Sequence, residues 1–315
     1  MSQAAPTNVA ASVKQRLLNR AREQKQDFNL LLTKYGLERI LYRIGQSTYK
    51  DSFVLKGALL FELWTEQRYR PTRDADFLSK GDSNPERYKQ IFEEICDLIV
   101  EDDGVRFDRS TVKVEKIKED QDYEGLRVTF TGFMEAARLP VQIDLGFGDA
   151  VTPEPLETDF PTLLQGQAPR LLSYPRETVI AEKFEAMVKL GIANTRMKDF
   201  HDLKTLSELF QFDSRSLVDA IQRTFERSKT VLPLDEPPTA LTAEFYGDTA
   251  KMAQWNAFVS KNKLYVQPST LESVMTPIRE FLMPLMQAEI LSGKRRIRWG
   301  PSTGWISAIA NESGK

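Results

Sequence analysis

Two aspartates one residue apart, Asp74 and Asp76, are the sharpest chemical feature of this sequence. They lie in Thr72-Arg73-Asp74-Ala75-Asp76-Phe77, which reads as a short strand over Arg73–Leu78. Residues i and i+2 of a strand share a face, so the two carboxylates project together while Ala75 and Phe77 turn to a core. Adjacent carboxylates repel unless a cation lies between them, and a hard divalent metal is the natural occupant. The plainer alternative is a strand end with two solvated acids. A third acid, Asp144, follows in Pro140–Gly146. There Val141, Ile143 and Leu145 define one face, and Asp144 shares the other with Gln142. It either faces water or joins the first two acids. Three strand-borne carboxylates on Mg²⁺ would suit two-metal phosphoryl or nucleotidyl transfer.

Other segments carry the complementary charge. Lys56-Gly57-Ala58 opens a helix, where glycine lets a phosphate approach free N–H groups and Lys56 adds positive charge; a simple turn gives the same pattern. In Ala181–Val188 the residues Ile180, Phe184, Met187 and Val188 form an apolar stripe, and Lys183 sits at its border. Its ammonium reaches into a cleft or snorkels to water. In Arg196–Leu203, Asp199 and Asp202 align with the apolar face of Leu203, Leu206 and Phe210. They cap the helix start or line a polar cleft, and both can hold together.

Composition narrows the chemistry to these groups. The 315 residues contain one Cys and one His, which excludes an intramolecular disulfide framework and cysteine- or histidine-rich metal sites. A Ser-His-Asp triad would rest on His201 alone. No apolar run approaches a membrane span and the N-terminus has no apolar core of a signal peptide, so a cytoplasmic protein is expected. The net charge of −2 is uneven: residues 1–50 hold nine Lys/Arg against three acids, and residues 291–315 hold five against one. Basic ends around an acidic body can hold a polyanion near a carboxylate site, or can be solvated helix faces.

The elements that must position these groups divide in two. Residues 8–45 read as helix broken at Gly36, then a short element at Phe53–Lys56 leads into a helix at Gly57–Trp64. A helix at Pro85–Val100 and β runs at Val105–Ile117, Leu126–Thr131 and Val141–Phe147 complete an α+β half. Five prolines between 153 and 175 suggest a linking segment. Helices are expected at 176–190, 199–210, 214–228, 249–261 and 270–291. The division falls into domains 1–160 and 161–315.

Taken in order, Phe53–Phe61, Arg70–Phe77, Val141–Phe147, Ala181–Val188 and Arg196–Leu203 resemble the AbiEii/AbiGii family of nucleotidyltransferase toxins, with MenT-type toxins as relatives. The resemblance spans about residues 12 to 285. It implies a DNA polymerase β-like nucleotidyltransferase core with a mixed sheet, followed by a helical C-terminal domain. It implies a bacterial toxin of an abortive-infection or phage-defence system, with an antitoxin that is often a winged-helix or helix-turn-helix repressor. It also implies NTP as substrate, Mg²⁺ as cofactor and the 3′ end of a tRNA as acceptor. Residue by residue, Asp74 and Asp76 match the metal-binding pair, with Asp144 as third carboxylate. Gly57 matches the phosphate turn, flanked by Lys56, Ala58 and Arg73. Lys183 matches the lysine that contacts NTP phosphates; Arg196, with Lys198 as a further candidate, would help it neutralise triphosphate charge, and Asp199 or Asp202 positions Lys183 or acts as base. The sequence departs from the family at Ala58-Leu59, where a hydroxyl that could contact phosphate is lost, which weakens nucleotide contact. The basic ends would contact RNA. The alternatives are nucleotidylation of a protein such as the antitoxin, a small-molecule nucleotidyltransferase, and a non-catalytic nucleotide- or RNA-binding module.

Overall fold

In the computed structural model, which describes residues 8–65, 69–120 and 123–308, Asn8 caps the first helix, α1 (Val9–Glu23), by accepting from Ala11 N–H. Val13, Leu17 and Ala21 bury one stripe of it. The chain turns at Lys25, whose φ of 51° is left-handed, and Asp27 then caps α2 (Phe28–Gln46) through Leu30 N–H. The helical break therefore falls at Gln24–Asp27 and not at Gly36. Gly36 lies inside α2, where a Cβ would stand 3.4 Å from Leu139 Cβ, so the glycine lets the helix backbone lie close on the sheet.

The chain forms two units. The first runs to Gly148 and takes up Leu156–Tyr174; the second holds Asp149–Pro155 and continues from Pro175. The first unit carries β1 (Phe53–Lys56), a 3₁₀ turn at Gly57–Leu59 and α3 (Leu60–Trp64). Next come β2 (Ala75–Ser79) and α4 (Pro85–Cys96), which has Pro85 at its first turn and Asn84 as cap. Three long antiparallel strands follow: β3 (Arg106–Asp120), β4 (Tyr123–Met134) and β5 (Ala137–Phe147). With β6 (Leu156–Asp159) and β7 (Arg170–Ser173) they make one mixed seven-stranded sheet in the order β3-β4-β5-β2-β1-β7-β6. β2 runs parallel to β5, and β1 parallel to β7.

The proline-rich stretch is thus two strands of the sheet and not a simple link. Its prolines at 153, 155, 161, 169 and 175 all lie outside the strands, where no ladder donor is lost. One face of the sheet is apolar and aromatic. Phe53 meets Phe77 at 5.8 Å and Phe92 of α4 at 5.7 Å, and Phe92 meets Phe130 at 6.2 Å. Each such pair adds about 0.5–1.5 kcal/mol beyond area burial, and together they stiffen the strands that bear the acids.

The second unit is mostly helical: α5 (Arg176–Leu190), α6 (Met197–Leu209), α7 (Ser214–Ser228), α8 (Ala243–Tyr246), α9 (Thr249–Lys261), α10 (Leu271–Leu282) and α11 (Ala288–Leu291). The expected helix over 270–291 is interrupted by a 3₁₀ turn at Met283–Met286, which contains Pro284. A small sheet joins β8 (Phe212–Asp213), β9 (Ile297–Gly300) and β10 (Gly304–Ser307). Trp299 and Trp305 pack on Phe281 at 4.9 and 5.8 Å, and Trp299 donates its indole N–H to the Ser207 carbonyl. No described helix is long and apolar enough to cross a membrane.

Candidate active site

Strand register builds the first cluster. Glu115 pairs with Arg127, Arg127 with Asp144, Asp144 with Asp76, and Asp76 with Lys56. Cross-strand partners share a face, so these five charged side chains form one row across five strands, opposite the aromatic face. Asp74 lies just before β2, beside this row, and its carboxylate accepts from the Thr72 hydroxyl. Ala75 and Phe77 are fully buried on the other side, as the alternation predicts.

Gly57 completes the geometry. Its φ is 74°, and a Cβ there would come 2.7 Å from Asp76 Cγ. Only glycine both adopts this turn and leaves room for the Asp76 carboxylate. Ala58 follows in the same 3₁₀ turn, and the Lys56 ammonium lies 5.8 Å from the Tyr174 ring centre. The structure therefore brings Lys56, Gly57, Asp76 and Asp144 together, with Asp74 beside them. Arg73 is exposed.

Asp144 is not an open third carboxylate. Arg127 Nε and Nη2 donate to its two oxygens at 2.8 and 2.7 Å, and Gln142 adds contacts at 3.3 Å. Hydrogen bonding to Asp144, together with the charges of Asp74 and Asp76, raises the Arg127 pKa. The sequence reading passed over Arg127. Its only local signal is its alternation with Leu126 and Val128, which places it on the polar face of β4.

Among the described residues, no group of three His, Cys, Asp or Glu side chains is placed to hold a metal. Mg²⁺ commonly takes only one or two protein carboxylates and completes its shell with water and substrate phosphate. The donor set fits that mode: Asp76 lies on the charged face with Asp74 just before its strand, and the Asp76 carboxylate occupies the space that a Cβ at residue 57 would need. Asp74 and Asp76 would hold the ion.

The second cluster lies wholly in the second unit. Lys183 on α5 has its ammonium 2.5 Å from Asp199 Oδ1 and 2.9 Å from Asp202 Oδ2, both acids on α6. Arg196 Nε pairs with Asp199 Oδ2 at 2.6 Å. Asp199 and Asp202 are 1% exposed. Burial opposes the charge of Lys183, but the two carboxylates outweigh it and raise its pKa. Burial likewise opposes the charge of Asp199, and Lys183 with Arg196 outweighs it and lowers that pKa. Neither acid is the helix cap: the cap position is Arg196, and Asp199 sits in the first turn turned toward Lys183. The border position of Lys183 is therefore filled by an inward ion pair, not by snorkelling. His201 Nδ1 stands 3.8 Å from Asp202, and Lys198 is exposed. Behind Arg196, the fully buried Asn194 accepts from Arg196 N–H through its side chain, while its carbonyl accepts from the Lys251 ammonium. Asn194 and Lys251 gave no sequence signal.

Many cations of the basic ends have intramolecular partners. Arg39 and Arg43 are buried against Glu38 and Asp103 at 2.8 and 2.7 Å. Lys14 pairs with Glu135, Lys34 with Glu62, and Arg20 donates to the Leu163 carbonyl. Near the C-terminus Arg296 pairs with Asp213 at 2.8 Å, while Glu312 and Lys315 lie outside the described residues.

A sequence model of the family described as "Nucleotidyl transferase AbiEii toxin, Type IV TA system" matches residues 39–277. That span contains every residue of both clusters. Among curated proteins no match was found. Two solved structures from Helicobacter pylori are similar at 16% identity: a protein described as a candidate nucleotidyltransferase, TM-score 0.43, and JHP933, TM-score 0.42. Each comparison covers 81% of this chain, against 92% and 89% of the respective relative.

Proposed function

The chain belongs to the AbiEii nucleotidyltransferase toxin family, and from that premise we propose that it transfers NMP from an NTP to the 3′ end of a tRNA. Membership makes it a nucleotidyltransferase toxin, and a toxin of a toxin–antitoxin system implies an antitoxin partner. We assign to that partner the character of a winged-helix or helix-turn-helix repressor.

In the proposed reaction the acceptor hydroxyl forms a bond to the α-phosphorus, the α–β phosphate bond breaks, and pyrophosphate leaves. Bound Mg²⁺ would polarise the phosphate oxygens and lower the pKa of the attacking hydroxyl. Asp74 and Asp76 supply its protein ligands. Gly57 lets the turn close onto the Asp76 carboxylate, because no Cβ stands between them. Arg127 balances Asp144, so that acid is neutralised within the row. Lys183 takes the family role of phosphate contact. Asp199 and Asp202 hold its ammonium charged and fixed, and for Asp199 this suits positioning better than proton abstraction, because an acid with a lowered pKa is a weak base.

The observation that supports this reading most directly is the juxtaposition of Gly57 and Asp76: a left-handed turn residue whose missing Cβ makes room for the carboxylate that we assign to the metal. The test is incubation of the pure protein with each α-labelled NTP, Mg²⁺ and total tRNA. Label in tRNA, lost in Asp76→Asn, is expected. Label that migrates with protein would replace the tRNA acceptor by a protein one. No transfer from any of the four NTPs to any acceptor would overturn the catalytic reading.

A further inference from the structure

Beside the charged row, the sheet of the first unit holds a groove of about 670 Å³ that none of the roles above uses. It forms because β2 joins β5 only from the Ala75–Ile143 pair onward, which leaves the edge of β5 open at Pro140–Gln142. Arg73 and Lys113 line it together with Thr129, Thr131, Thr33 and Gln142, and no carboxylate does. Lys113, Thr129 and Gln142 are successive cross-strand partners, two residues along from Arg127 and Asp144 on the same face. That spacing is about 7 Å. Gln142 touches both, since it lines the groove and donates to Asp144.

The chemistry of this lining is selective. The cations of the neighbouring structure are mostly bound to acids: Arg39, Arg43 and Arg127 all have carboxylate partners. Among the described residues, Arg73 and Lys113 form no ion pair. Two unpaired cations with hydroxyl and amide donors, and no acid, suit a chain of phosphodiesters. The one aromatic residue of the lining, Phe130, is 4% exposed, so no ring is offered for a base to stack on. The groove therefore fits a backbone and not a base sequence.

Resting on the tRNA reading above, we propose that this groove holds the sugar–phosphate backbone of the acceptor RNA strand and leads its end toward the Asp76–Asp144 row. Arg73 thereby belongs to the acceptor and not to the triphosphate. Recognition is independent of sequence and driven by counterion release.

The experiment uses the full chain and fluorescein-labelled total tRNA, read by anisotropy between 50 and 200 mM salt. Lys113→Glu is expected to weaken binding about tenfold or more at 50 mM salt, while its affinity for Mg²⁺–NTP stays that of the wild type. Lys113→Ala should lower the slope of log K against log salt by about 0.7–0.9, the loss of one phosphate contact. Lys89→Glu, on exposed α4 surface, should change neither. If Lys113→Glu binds tRNA as the wild type does while the wild type labels tRNA, the groove proposal fails and the tRNA reading stands. If Lys113→Glu loses NTP affinity in parallel, the groove serves the triphosphate and the proposal is overturned. If the wild type neither binds nor labels tRNA, both readings fall.

Discussion

Both units set acidic side chains against a cation, and they do so in opposite ways. In the first, Asp76 and Asp144 stand on strands in a row half open to solvent, where Arg127, whose side chain is itself 39% exposed, binds Asp144 and Lys56 is the cross-strand neighbour of Asp76. In the second, Asp199 and Asp202 are sealed at 1% exposure around Lys183. The difference is between an anionic site that keeps capacity for a ligand and one whose charges are consumed internally. Carboxylates near solvent, in high dielectric, repel one another only weakly. The buried carboxylates share the lysine, with Arg196 also on Asp199, so the lysine is held in place and charged.

The largest effect should separate the two clusters by stability. Lys183→Met removes the ammonium shared by two buried acids, with Arg196 still on Asp199, and should lower the unfolding free energy by about 3–5 kcal/mol. Asp76→Asn removes one of several like charges and should change it by less than about 1 kcal/mol, while both variants lose transfer activity. Urea denaturation of the two proteins checks this. Equal destabilisation would break the comparison.

Next in size is Gly57→Ala. Alanine at φ 74° costs about 1–2 kcal/mol, and its Cβ would also displace the Asp76 carboxylate. The expected outcome is a loss of transfer of at least about 100-fold with a modest fall in thermal midpoint, because the damage is to the open row and not to a packed core.

The pH dependence sharpens the contrast, since buried acids of the two units shift oppositely. Burial raises the Glu38 pKa from 4.5 to about 6, against the lowering effect of Arg39 and the Leu163 N–H. The folded state binds that proton more tightly, so the contribution is full below about pH 4.5 and is lost as pH rises through about 6. The amount is about 2 kcal/mol. Asp199 is lowered, so its contribution is present above its ordinary value of 3.8 and is lost as pH falls below it. Urea midpoints from pH 3 to 7 should lose their decline between 4.5 and 6 in Glu38→Gln, and lose part of the acid limb in Asp199→Asn.

The smallest effect is expected from Arg127→Gln. The Arg127–Asp144 pair is half exposed on the arginine side, so breaking it should cost about 1 kcal/mol. The same change frees a third carboxylate in the row, and Mg²⁺ affinity measured by calorimetry should rise. A fall would mean that the guanidinium, and not Asp144, serves the ion's site.

Much of the fold was legible because it follows from local pattern. Val141, Ile143 and Leu145 alternate with Gln142 and Asp144, and the strand forms with the apolar set inward. The helices at Arg176–Leu190, Ser214–Ser228 and Thr249–Lys261 lie where apolar periodicity puts them. Misreadings came where tertiary contact overrides a local signal. Gly36 is a strong breaker in sequence, yet α2 continues through it because the glycine packs on Leu139. The prolines of 153–175 look like a linker, but they flank strands instead of interrupting them. Arg39 and Arg43 count as basic surface in any charge tally, although both are buried with acid partners.

By itself the sequence determined which chemistry was available: carboxylates and lysines, with one cysteine and one histidine, in an order shared with one toxin family. It also determined that Ala75 and Phe77 turn inward and Asp76 to the other face, because the period of a strand is two, whereas Asp74 falls just before the strand. Only the tertiary structure decided which charges remain open. Arg127 meets Asp144 across 17 residues, and Lys183 meets Asp199 across 16, through strand register and helix packing. A charge carries no mark in the chain of whether its partner is water, a metal or another side chain. That is set by the dielectric and the neighbours that folding brings to it.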